Sequence, residues 1–138
     1  MADPRREFKL PAGDTEYLDG LGLTWEAIKQ PPNGTQQWLL IHDWKIPEDY
    51  NINSATAALI IDPQYSDTQI DSVYFFPTLK RKDGVAINNV AGETDLDGRK
   101  FQFWSRHRTQ QNAWKPGVDD VASHLALVTE WLKREFNK

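Results

Sequence analysis

The groups able to do covalent chemistry gather in one short stretch, FWSRHRTQQNAW (103–114). Ser105, His107 and Thr109 place two hydroxyls and an imidazole at alternating positions, interleaved with Arg106 and Arg108 and bracketed by Trp104 and Trp114. A hydroxyl is a weak nucleophile until a neighbouring base takes its proton, and imidazole, titrating near neutrality, is the usual base. Residues at i and i+2 point to opposite sides of a strand but converge in a turn, and this polar segment reads as turn-like. The plainer readings stand beside this one. A lone loop serine generally caps or hydrogen-bonds the backbone, and a lone histidine generally sits on the surface.

Other chemistries are excluded or unsupported. The chain has no cysteine, which removes disulfides, thiolate nucleophiles and cysteine-based zinc sites together. His42 shares its strand face with Trp38, Leu40 and Trp44 and reads as half-buried and hydrogen-bonded. His124, beside Leu127 and Trp131 on a helix, reads as packed. The three histidines show no tight ligand spacing, so no metal is expected, and no cofactor motif is present. Sixteen basic against 20 acidic residues give a net charge of −4, which argues against nucleic acid as a partner. A local basic cluster (Arg99, Lys100, Arg106, Arg108, Lys115) is either a solvated face or a landing for an acidic partner. No apolar run is long enough to span a membrane, and MADPRREFKL lacks the apolar core of a signal peptide, so a cytoplasmic location is expected.

The elements that must position the cluster follow from periodicity. A flexible arm is expected over residues 1–9, ahead of a single domain over 10–138; 138 residues suffice for one core. Asp14 is placed to cap a short helix through Tyr17 and Leu18. Thr24–Lys29 and Gln37–Trp44 read as strands of a hairpin joined at Pro31–Gly34, and Thr56–Asp62 and Ile70–Phe76 as two further strands. Leu79–Arg99 shows neither period and reads as a long irregular crossover with room for one short strand. After Pro116-Gly117, the residues Val118, Val121, Leu125, Val128, Leu132 and Phe136 line one face of a helix with Asp119 and Asp120 in its first turn. The expected fold is α+β: short N-terminal helix, four-stranded antiparallel meander, crossover loop, and a C-terminal helix packed on the sheet.

This order resembles the ubiquitin-conjugating (UBC) fold, and more narrowly the prokaryotic ubiquitin-conjugating family E, found in bacteria beside ThiF-type activating enzymes and ubiquitin-like proteins. The residues that carry the resemblance are LPAGDTEYLDGLGL (10–23), WLLIHDWKIPEDYN (38–51), DPQYSDTQIDSVYFFP (62–77) and WSRHRTQQNAWKPGVDDVASHLALVTEWL (104–132). In ordinary members a catalytic cysteine lies shortly before a W-x-P step into a helix. Trp114-Lys115-Pro116 matches that step, and the cysteine position falls at or next to Ser105. The histidine-proline-asparagine motif that normally precedes the nucleophile is missing, and Asn88 and Asn89 are the nearest asparagines upstream.

The resemblance implies a protein that accepts the C-terminus of a ubiquitin-like protein from a ThiF-type activating enzyme and passes it to a target amine. Antiphage defence is a setting the family's neighbours suggest. Without sulfur the carried acyl group would be a serine oxyester. Ser105 is then the nucleophile and His107 the base or orienting group. Arg106 and Arg108 become oxyanion or carrier contacts, and Thr109 a reserve nucleophile. A serine at this position is also what replacing a catalytic cysteine would leave. The competing implication is a catalytically inactive UBC-like adaptor that binds the ubiquitin-like protein or the activating enzyme.

Overall fold

The computed structural model of the protein describes residues 3–30, 34 and 36–137. Two helices and six strands follow in the order α1 (Ala12–Gly20), β1 (Trp25–Gln30), β2 (Gln36–Lys45), β3 (Ser54–Ile60), β4 (Val73–Phe76), β5 (Val90–Leu96), β6 (Arg99–Trp104) and α2 (Val121–Arg134). The strands form one antiparallel sheet in the order β1-β2-β3-β4-β6-β5. The expected four-strand meander is therefore present as β1 to β4. Its first turn, at Pro31–Asn33, lies outside the described residues, although Gln30 pairs with Gln36 on either side of it.

The expected crossover loop needs correction. Its second half is a hairpin, β5–β6, that adds two strands to the sheet by pairing β6 with β4 (Val73↔Trp104). The hairpin turns on Asp97-Gly98, both with positive φ (53° and 76°), the two-residue geometry that Asp-Gly favours. Strand β5, VAGETDL, is mostly polar and carries a bulge between Val90 and Glu93, so it shows no alternation.

Strand alternation builds a core on each face of the sheet. Ala27, Leu39, Ile41, Ala57, Leu59, Val73, Phe75 and Trp104 meet the helices, chiefly Leu18 of α1 and Val121, Leu125, Val128 and Leu132 of α2. On the other face Ile28, Trp38, Leu40, Ala58, Tyr74, Leu96 and Phe101 form a second cluster. It contains residues of both edge strands, so the sheet curls around it. A bulge in β2 between Ile41 and Trp44, with Asp43 at φ 59°, shifts Trp44 to the helix side, away from His42, Leu40 and Trp38. Half-buried His42 bonds Thr56 Oγ1 (3.0 Å) and Glu26 Oε1 (2.8 Å).

Asp14 does not cap α1. It lies within that helix, buried, and its carboxylate accepts from the Val121 N–H (3.2 Å) and from the Tyr65 hydroxyl (2.8 Å). It thus serves the first turn of α2, whose N-terminus has orphan donors to satisfy. The N-cap of α2 is Asp120, which exchanges hydrogen bonds with Ser123 (both 2.9 Å). The helix starts three residues later than expected, and Val118 stays outside it, 71% exposed.

The segment expected as a flexible arm is tied to β1. Arg5 and Glu7 exchange backbone hydrogen bonds with Ala27, and Arg6 lies over the Trp25 ring. The Arg5 guanidinium reaches Glu26 on β1 (2.8 Å) and Asp97 in the β5–β6 turn (2.6 Å), bridging the first and last strands of the sheet order.

Candidate active site

Register decides what surrounds Ser105. Because Val73 pairs with Trp104, the residues just before β4 lie across from those just after β6. Ser72, in the left-handed region at φ 57°, fastens the two chains. Its N–H donates to the Arg106 carbonyl (3.1 Å), and its hydroxyl accepts from the Arg106 N–H (3.1 Å). On the other side the Ser105 N–H donates to the Asn89 carbonyl (2.9 Å), so the Ser105-Arg106 pair is held from both neighbouring segments. The asparagine pair at 88–89 is distant in sequence yet adjacent here, through backbone.

Within this frame Ser105 and His107 do converge. The Ser105 hydroxyl lies 3.4 Å from His107 Nε2, and His107 Nδ1 lies 2.9 Å from Asp71 Oδ2. A carboxylate only accepts, so Nδ1 carries the proton and Nε2 faces the hydroxyl as acceptor. The Ser–Nε2 distance is loose for a hydrogen bond from a hydroxyl, as catalytic contacts often are before substrate arrives. His107 is 69% exposed and Asp71 38%, so water reaches both. A cavity of about 250 Å³ adjoins them, lined by Ile60, Tyr74 and Phe103 together with Asp62, Thr68 and Gln69. Tyr74 and Phe103 stack at 4.7 Å.

The other nominated residues are engaged elsewhere. The Arg106 guanidinium turns inward to Glu135 Oε1 (2.9 Å) and the Trp104 ring, and burial pulls its pKa down despite that carboxylate. Arg108 lies buried over Trp114, 3.6 Å from Asp119. Thr109 caps the single turn Gln110–Asn112, accepting from the Asn112 N–H (3.2 Å). Lys100 pairs with Asp95, so the basic cluster of the sequence is dispersed rather than gathered. Among the described residues no three His, Asp or Glu side chains are arranged to hold a metal.

Sequence reasoning missed Asp71. The sequence pattern places it in a strand starting at Ile70, whereas β4 begins at Val73. Only the strand pairing brings it to His107. Helix α2 supports the same corner: buried His124 donates from Nε2 to the Ser72 carbonyl (2.9 Å). The segments behind the site also interlock. Trp114 Nε1 donates to the Ser66 carbonyl (2.9 Å), its ring lies 6.1 Å from Tyr65, and Tyr65 in turn reaches Asp14.

These contacts join the DPQYSD turn, the W-x-P step and both helices, the blocks through which the chain resembles ubiquitin-conjugating proteins. No curated protein and no solved structure matches the chain at a significant level. The model of prokaryotic E2 family E matches residues 10–135, and with that span covered the chain belongs to this family of ubiquitin-conjugating-like proteins.

Proposed function

We propose that the protein carries the C-terminal acyl group of a ubiquitin-like protein as an oxyester on Ser105. It receives that group from a ThiF-type activating enzyme in the bacterial cytoplasm and passes it to a target amine. The observation that carries this reading is the Ser105–His107–Asp71 alignment, at or next to the position where the family resemblance implies a catalytic cysteine. Ser105 Oγ attacks the carbonyl carbon of the activated carrier while its proton passes to His107 Nε2, and the group that leaves that carbon takes the proton. The incoming amine then attacks the ester and gives a proton to His107 Nε2, and Oγ leaves with that proton as the amide forms. Antiphage defence is the biological setting we attach to this chemistry.

The adaptor reading has one observation in its favour. The N–H groups of Ser105 and Arg106 are both bonded within the protein, so neither is free to meet an oxyanion. The two readings separate in an intact-mass assay with ATP, the activating enzyme and the mature carrier, run beside Ser105→Ala and Thr109→Ala. The expected result is a mass gain of the carrier minus water, stable to thiol reductants, cleaved by hydroxylamine and lost only in Ser105→Ala. Binding without any adduct would establish the adaptor.

A further inference from the structure

We propose that Ser105, His107 and Asp71 also form a hydrolytic centre, able to pass an ester-linked acyl group to water with no amine present. The inference rests on Ser105 being a nucleophile and adds a second acceptor and a second substrate class, small esters of short carboxylic acids.

Three features support it. The relay is complete in its connections: hydroxyl to Nε2, and Nδ1–H to a carboxylate, at 3.4 and 2.9 Å. Asp71 holds the imidazole in the one tautomer that can take the hydroxyl proton and stabilises the imidazolium that results. The relay also lies open. The exposed ring of His107 faces solvent, so a water molecule can occupy the place that an amine would take. Finally, the cavity of about 250 Å³ lined by His107 and Asp71 includes Ile60, Tyr74 and Phe103 among polar neighbours such as Asp62, room for a small aryl or alkyl group.

The reaction balances in two steps. Ser105 Oγ bonds to the ester carbonyl carbon, its proton goes to His107 Nε2, and the carbon–oxygen bond to the alcohol breaks as that oxygen takes the proton. Water then attacks the acyl-serine and gives a proton to Nε2, and the acid departs as Oγ takes that proton from His107. Asp71 acts through His107 and is a positioning residue. Since the nearest backbone donors are engaged, and one missing oxyanion donor costs roughly 10²–10³ in rate, turnover is slow beside a dedicated hydrolase.

The test uses p-nitrophenyl acetate and butyrate on the full chain, with a fluorophosphonate probe followed by intact mass. The expected result is turnover at least about tenfold above Ser105→Ala, one probe adduct that is absent in Ser105→Ala, and a lower kcat with little change in KM for Asp71→Asn. Circular dichroism of each variant keeps loss of fold apart from loss of chemistry. Turnover equal to that of Ser105→Ala, or no labelling of folded protein at Ser105, overturns the inference. A protein that forms the carrier adduct but does not hydrolyse esters overturns this inference alone. One that hydrolyses esters but takes no carrier overturns the transfer reading alone.

Discussion

Two neighbouring residues of the site part company in what their loss should do. His107→Ala removes the base we propose and leaves the fold alone, because the side chain is largely exposed. Carrier-adduct formation in single turnover should slow by about 10²-fold or more, with an unchanged unfolding midpoint. Arg106→Ala removes the cation that faces Glu135, a carboxylate only 1% exposed, and the cover over Trp104. It should cost about 3 kcal/mol in urea unfolding, the scale for breaking a buried ion pair. A loss of adduct in that variant should follow the fraction unfolded, so activity restored at lower temperature separates it from a catalytic defect. An oxyester mechanism calls for an oxyanion or carrier contact, and Arg106 is one of the two arginines offered for it. The turn sends its side chain the other way.

Between elements, the join of α1 to α2 depends on Asp14. Burial raises the pKa of this carboxyl, and the Tyr65 and Val121 hydrogen bonds work against that rise. Asp14→Ala strips an acceptor from a buried N–H and a half-buried hydroxyl, and should lower stability by about 3 kcal/mol. Asp14→Asn keeps an acceptor without the charge and should cost less. Asp120→Ala, which removes only the helix cap, should cost about 1 kcal/mol by the same denaturation measurement. How far such elements can be read in advance depended on their local pattern. Strands β1 to β4 and helix α2 announce themselves because their apolar periodicity matches their burial. Strand β5 does not, because its core contacts are few and a bulge breaks its phase; the Asp97-Gly98 turn was the one local signal for its hairpin. The chemistry of the site was half legible. Ser105 and His107 are close in sequence, whereas Asp71 lies 36 residues from His107 and reaches it through a strand pairing that no local pattern encodes.

For the molecule as a whole, acid should act in two stages. Burial holds the pKa of His124 at about 4, below its ordinary 6.5, and Arg108 adds to that drop while Ser72, Asp71 and Asp119 oppose it. The unfolded chain therefore takes up a proton before the folded one does. The stability contributed by neutral His124 is complete above pH 6.5 and drains away as pH falls towards 4, by about 3 kcal/mol. His124→Phe should flatten that part of the stability–pH curve. Below it the clasp takes over. Hydrogen bonds from Arg5 hold Glu26 at about 2 and pull Asp97 below its usual range, so their contribution is lost between about pH 4 and 2. Arg5→Ala should remove that lower stage; thermal melts across pH read both. Asp14, with its raised pKa, works in the opposite sense and blunts the acid loss. The clasp also bears on self-association. An open sheet has two edges that invite a second copy to add a strand. Strand β5 defends one with Glu93, Asp95 and its bulge, while residues 5–7 lie along the other, occupying Ala27. Deleting the first seven residues bares the outer edge of β1, and the shortened chain should form strand-exchanged dimers and aggregates on light scattering at concentrations where the full chain stays dispersed.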